Sequence, residues 1–337
     1  MIYVAAILWA YVLIILRDRF SFWSLFAAAS PLIAFSAFRG TSGKDSYQYL
    51  IRFYQDLDFN LGALQEPIFE FLVFLTRFVL PNSHEFFFGA HAALIIFLFV
   101  SILKSGRASI YLYSVGAMFL IDGISNGMRI AVGYHIFITL WLRYQRVLAI
   151  GFAILSHVSL ALTLPFTFLS SLNERRPLLS LAFATIAVVT FVLFVDPVLQ
   201  RLMLLDDRLS SKIARYSTLT LETSFSGIAD IAVIFVLMLR QRYFCRGQFA
   251  KLILNALIAL FFSILLLYAV QQSLAFIRVN KILIVALCVT KAPLNNNSYR
   301  HLIIFIGMMY SANFLRQVLF GPGFLPYPGP VDAWVLR

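Results

Sequence analysis

Apolar runs recur along the chain, at 2–16, 22–38, 67–80, 85–103, 109–123, 125–142, 147–170, 178–199, 227–239, 252–274, 278–293 and 300–320. Most approach the ~20 residues that a helix needs to cross hydrocarbon. Strands of a membrane barrel would be shorter and would alternate apolar with polar. The pattern predicts an all-α, polytopic integral membrane protein of about ten to twelve helices. Residues 1–320 read as a single transmembrane helical domain, and the Pro- and Gly-rich 321–337 as an irregular tail. Ile2–Leu16 has no basic flank before it and no Ala-x-Ala-like cleavage site after it, so it reads as a retained first span. Segment 67–80 is the weakest span, because it is short, begins at Pro67 and carries Glu70 and Arg77.

Two polar connections interrupt this pattern, 39–66 and 200–226. The second carries Arg201, Asp206, Asp207, Arg208, Lys212, Arg215, Tyr216 and Glu222. A tether between spans needs only a few residues, so a polar stretch from Arg39 to Asp58 implies a folded surface at the membrane face. As a helix, the stretch puts Asp45, Gln48, Tyr49, Arg52 and Asp56 on one face, and Tyr47, Leu50, Ile51, Tyr54 and Leu57 opposite. Such a helix lies in the interface with aromatics at headgroup depth. Gly40 and Gly43 permit a tight turn before it, and Thr41 or Ser42 supplies a cap. An ordinary interfacial helix with Asp45 at its positive end carries the same pattern.

Charge refines the picture. Hydrophobic residues make up 61% of the chain and charged residues 12%, mean hydropathy is +0.87, and the net charge is +12. The basic residues sit at span ends rather than in a nucleic-acid-binding patch. Arg17, Arg19, Lys104, Arg107, Arg143, Arg146, Arg175, Arg176, Arg240, Arg242 and Arg246 all favour the cytoplasm. Simple alternation of twelve spans cannot satisfy them, so at least one apolar segment is re-entrant or partial, and both long polar loops belong outside. Arg outnumbers Lys, 21 to 6. Arg forks onto phosphate and keeps its charge in a low dielectric, which suits anionic lipid or a diphosphate ligand. Cys245 and Cys288 form no disulfide framework, and the five His show no metal-ligand spacing. There is no phosphate-binding Gly loop and no Gly-x-Ser-x-Gly elbow, so neither a metal nor another cofactor is expected.

The remaining polar positions inside apolar segments are few. Asp122, Ser125 with Asn126, Arg129 and Gly133 recur at helical spacing. An Arg at membrane depth faces a cavity, a partner or a substrate, and the glycines leave room beside it. An Asp122–Arg129 pair closing a helix interface is the plainer reading. His157 heads a Ser/Thr stripe with Ser156, Ser159, Thr163 and Thr167, which also reads as interhelical glue. Arg278 shares a helical side with Gln271 and Lys281, at a cavity mouth or as a snorkelling span end. Several Arg and an Asp near one interface suit transfer from a lipid-linked diphosphate. Arg binds and neutralises the leaving group, and a carboxylate or His deprotonates the acceptor hydroxyl.

These residues resemble a known family. Arg39-x-x-x-Gly43-x-Asp45-x-x-x-Tyr49 is similar to a signature of EpsG-like, Wzy-type bacterial polysaccharide polymerases. Asn126-x-x-Arg129-x-x-x-Gly133 is similar to that family's Arg-Gln-x-x-Ala helix. The segment around His157 resembles its His-x-Ser segment, and Ala275 to Arg278 its late Arg segment. Ile130 and Lys44 depart from the family's usual Gln and Thr. The resemblance implies a metal-independent glycosyltransferase of the bacterial inner membrane. It would join O-antigen, capsule or exopolysaccharide repeat units carried on undecaprenyl diphosphate. On this reading Asp45 and His157 are the candidate catalytic groups, Asp45 as base or as orienter of a diphosphate-binding Arg and His157 as a group that shapes or protonates within the cavity, with Arg39, Arg129 and Arg278 as diphosphate ligands and Tyr47, Tyr49 and Arg52 at the sugar–lipid interface. A chain-length regulator and a flippase of the same pathway would be partners. A lipid-linked oligosaccharide flippase is the first rival, although the two similar halves expected of a transporter are not found. A membrane O-acyltransferase and a structural subunit of an export complex are the others.

Overall fold

The computed structural model describes residues 2–40, 42, 45–54, 66–105, 110–142, 146–157, 160, 186, 315 and 316. The chain divides into two units, Met1–Ala161 with Val285–Arg337, and Leu162–Ile284. The elements described in order all belong to the first unit: α1 (Ile2–Leu16), α2 (Phe22–Ala28), α3 (Ser30–Ala37), α4 (Ser46–Tyr54), α5 (Pro67–Val79), α6 (His84–Lys104), α7 (Ile110–Ser125), α8 (Met128–Leu142) and α9 (Arg146–Ser156). Among the described residues there is no strand. The expected helices from 178 onward, the loop 200–226, Arg278 and both cysteines lie outside the described residues, as do Thr41, Gly43, Lys44 and Asp56.

α6 sets the length of the bundle. Its 21 residues rise about 31 Å, and the mean hydropathy reaches 2.5 over an 18-residue window within it. It is the one helix among the described residues long and apolar enough to cross a membrane. Ser83 starts it by accepting the Phe86 N–H at 3.1 Å. Lys104 ends it, and its ammonium donates to the backbone carbonyls of Arg17 and Phe20 just beyond α1. A cation over those carbonyls favours a helix C-terminus. At that same end the rings of Phe22 and Phe26 meet Phe97 edge-on, with centroids 5.2 and 6.1 Å apart.

One expected helix is broken and one expected polar stripe is bent, although the spans 109–123 and 125–142 part close to where α7 and α8 do. The run 22–38 is α2 and α3, parted at Ala29. Pro31 explains the break, because it has no N–H and its ring opposes the carbonyl four residues back. The stripe from Asp122 to Gly133 is not one helical face but a hairpin. α7 stops at Ser125, and the N–H groups of Asn126 and Gly127 both donate to the Asp122 carbonyl, at 2.9 and 3.1 Å. α8 then folds back along α7. The Tyr134 hydroxyl reaches the Phe119 carbonyl at 3.2 Å, and a Cβ on Gly123 would stand 2.8 Å from Ala131 Cβ.

The space expected beside the glycines is filled. A Cβ on Gly133 would collide with Leu160 Cδ1 and stand 3.2 Å from Ser156 Cβ, so α8 and α9 touch backbone to backbone there. Gly133→Leu is therefore expected to push α9 away, lowering stability by about 1–3 kcal/mol, measured as a fall in the denaturation midpoint of the purified protein. An unchanged midpoint would show that the two helices separate freely.

α5, the weakest of the expected spans, is 13 residues long. The Phe69 ring lies 5.5 Å from His91 and 6.1 Å from Phe87, so α5 begins beside the second turn of α6 and leads back to its first residue. An aromatic block of Tyr49, Phe53, Phe69, Phe87 and Phe88, with Val73 and Met128, joins α4, α5, α6 and α8. It forms the floor on which the polar groups sit.

Candidate functional site

Arg39, Asp45, Asn126, Arg129 and His157 lie at the end of this unit opposite to Lys104, each at or near a helix terminus. α3 ends in the turn Phe38–Arg39–Gly40. Gly40 has φ of 54°, a left-handed conformation that a side chain disfavours. The turn directs Arg39 inward, where its relative exposure is 0%. Arg39 Nη1 donates to the Ile124 carbonyl at 2.9 Å and Nη2 lies 2.8 Å from Met128 Sδ. Its guanidinium stands 4.3 Å from the Phe88 ring centroid and 6.0 Å from that of Tyr49. Ser36 Oγ donates to the same Ile124 carbonyl at 2.7 Å. Arg39 thus pins the α7–α8 hairpin to α3. Expected as a diphosphate ligand, it is placed as a buried strut.

Arg129, expected deep in a span, lies in the first turn of α8 beside the hairpin turn. Its Nη1 donates to Glu66 Oε2 at 2.8 Å. The other carboxylate oxygen, Oε1, lies 3.3 Å from His157 Nε2. Glu66 and His157 are 8% and 7% exposed, so this Arg–Glu–His group is largely sheltered from water. Arg129 Nε is buried and has no hydrogen-bond partner among the described residues. Asp122 is not the partner of Arg129; its Oδ1 is 3.5 Å from Asn126 Nδ2.

Glu66 escaped the sequence reading. It precedes Pro67, which opens α5 with a φ already suited to a helix. An acid at that position favours the helix dipole, yet the Glu66 side chain does not cap α5. It reaches across to α8 and α9 instead. The available signal was a Glu-Pro step between a polar loop and an apolar run. Its two partners lie 63 and 91 residues along the chain, too far for any local pattern to reveal.

α4 covers the group. Its buried stripe is Ser46, Tyr49 and Phe53, and Tyr47, Gln48, Ile51 and Tyr54 are exposed. The expected amphipathic helix is present, but Tyr49 turns into the protein. Both site guanidinium groups lie close to the Tyr49 ring, Arg129 at 5.4 Å from its centroid. Burial pushes the Tyr49 phenol above its ordinary pKa, and Arg129 partly offsets that push. Asp45 raises it further and Arg39 lowers it, leaving a neutral hydroxyl at physiological pH. Tyr47 is 64% exposed and makes no part of this cluster. Arg52 forks onto Glu70 with contacts of 2.7, 3.0 and 3.1 Å, which ties α4 to α5. Tyr54 Oη meets His84 Nδ1 at 2.9 Å at the far end of α4.

Asp45 stands at the start of α4, half-exposed, and its N–H donates to Asn126 Oδ1 at 3.3 Å. The two motifs singled out from sequence therefore meet: the polar connection after α3 sits on the α7–α8 turn. Ser42 does not act as the expected cap of α4; it lies buried and accepts the Tyr3 hydroxyl at 3.1 Å. Among the described residues no three His, Cys, Asp or Glu side chains converge as a metal cage. The site is thus ionic: Arg129 pairs with Glu66, His157 stands against the same carboxylate, and Asp45 lies beside them through Asn126.

No curated protein and no solved structure is significantly similar to the chain. A family model does match, over residues 22–328, a span that takes in every site residue named above, Arg278 included. The chain belongs to the EpsG family.

Proposed function

We propose that the chain is a polymerase of exopolysaccharide or a related surface glycan, acting at the outer face of the bacterial cytoplasmic membrane. Membership of the EpsG family supports an exopolysaccharide-related polymerase. The observation that carries the finer reading is the sheltered Arg129–Glu66–His157 group at the end of the helices opposite to Arg17 and Lys104. Positive residues favour the cytoplasm, which supports an outer-side position for this group in a multi-pass protein.

In this reading the growing chain is held on a lipid diphosphate, and a second lipid-linked repeat unit supplies the hydroxyl. The hydroxyl oxygen attacks the anomeric carbon, the carbon–oxygen bond to the diphosphate breaks, and the lipid diphosphate departs. Arg129 receives its charge, in a site where water screens little. Arg278 is retained as a second diphosphate contact. Arg39 acts through the hairpin it holds. Asp45 and His157 are the candidates for the base. Tyr47 and Ile51, exposed on α4, face lipid or sugar. A chain-length regulator and a flippase of the same pathway would work beside it, with undecaprenyl diphosphate as the carrier.

The test is a deletion strain complemented with the wild-type gene, with surface glycan resolved by size. Loss of long chains on deletion, with single repeat units still formed and restored to polymer by the gene, supports the reading. Full-length chains in the deletion strain would refute it. A glycan of normal length lacking an acyl group would point to the O-acyltransferase rival, and repeat units trapped inside the cell to the flippase.

A further inference from the structure

We infer that His157 is the base of the transfer and that Glu66 is the residue that positions it, an inference that rests on the polymerase reading. A carboxylate only accepts hydrogen bonds, so the 3.3 Å approach of His157 Nε2 to Glu66 Oε1 puts the imidazole proton on Nε2. In the neutral ring, Nδ1 is then the basic nitrogen. The ring is fixed from two sides: its backbone N–H donates to Ala153 at 3.0 Å, ending α9, and its Nε2 meets a carboxylate anchored at the head of α5. Glu66 does not swing, because its other oxygen is held by Arg129 at 2.8 Å. One carboxylate thus fixes both the base and the anion-binding Arg, and sets the distance between the hydroxyl to be deprotonated and the diphosphate to be released.

The step balances. The acceptor hydroxyl gives its proton to His157 Nδ1 as its oxygen bonds to the anomeric carbon, and the bonding pair to the diphosphate leaves with that group. The imidazolium that forms is stabilised by Glu66, which stays ionised. Asp45 is the weaker candidate for base. It is half-exposed, and it is joined to the site through its backbone N–H on Asn126.

The experiment uses the full chain in nanodiscs with a synthetic lipid-diphosphate-linked repeat unit, and compares Glu66→Gln, His157→Gln and the double variant. Glu66→Gln keeps the size and one acceptor oxygen but removes the charge. Its kcat is expected to fall about 10²–10⁴-fold with KM changed no more than a few-fold. The double variant is expected to lose less than the product of the two single losses, because part of the Glu66 effect runs through His157 and only the part that runs through Arg129 adds to it. Two results overturn the inference while leaving the polymerase reading intact. One is Glu66→Gln at wild-type kcat. The other is a double variant whose loss is the product of the two single losses. If Glu66→Gln fails to fold, Glu66→Asp enters the same cycle with His157→Gln, and multiplying losses there again overturn it. A wild-type protein that makes no polymer from this substrate fails the reading itself.

Discussion

Replacing Arg129 with alanine is expected to abolish polymer, leaving lipid-linked single repeat units, with a rate loss of at least about 10²–10³-fold. Two effects combine. The leaving diphosphate loses the Arg129 guanidinium, whose Nη1 is committed to Glu66 and whose Nε is buried with no hydrogen-bond partner among the described residues. Glu66, 8% exposed, also loses its Arg129 partner, and breaking a buried pair from one side costs about 3 kcal/mol. Arg129→Lys separates these effects. A lysine restores a charge near Glu66, so protein level recovers, but a single ammonium lacks the planar fork that serves a carboxylate and a diphosphate together. Polymer is therefore expected to stay short or absent in Arg129→Lys at normal protein level. The check is the size distribution of the glycan beside an immunoblot of the membrane fraction. Chains of normal length in Arg129→Ala would remove this residue from the site.

Arg39 is expected to matter for stability rather than for contact with substrate. Arg39→Ala opens a cavity at a fully buried position and removes the donor to Ile124, for a loss of about 4 kcal/mol. Arg39→Met refills most of the volume and leaves Ile124 to Ser36 Oγ, so its loss is expected near 2 kcal/mol. Denaturant midpoints of the purified protein, read at equal slope, give both figures. Equal midpoints for wild type and Arg39→Ala, with a weakened affinity for lipid diphosphate, would instead make Arg39 the direct ligand that its position in the motif suggested.

The difference between these two arginines shows where sequence reading works. Apolar period and length marked Ile2–Leu16 to the residue and placed α6 within a residue at each end, because a long oily run has few other solutions. Polar exceptions near such runs draw notice to Arg129 and His157, which the structure places at the start of α8 and just past the end of α9. The same reasoning failed where two elements meet. Asp122, Ser125, Arg129 and Gly133 share helical spacing, and that spacing concealed the Asn126–Gly127 step, a turn signal strong enough to end α7. The room that Gly133 leaves is filled by α9 and Leu160, since a glycine in sequence does not say what approaches it. Whether an arginine faces a ligand or a carbonyl depends on the partner across the fold. Arg39 meets Ile124, 85 residues away, and Arg129 meets Glu66, 63 residues away. No local period carries that information.

The most direct test of the account is elongation by the purified full chain in lipid vesicles or nanodiscs, supplied only with a repeat unit on a lipid diphosphate. The account predicts products of two, three and more repeat units, release of lipid diphosphate for each bond formed, and neither product with Arg129→Ala. Recovery of the single repeat unit unchanged, with wild-type protein that is folded and binds the substrate, would contradict it.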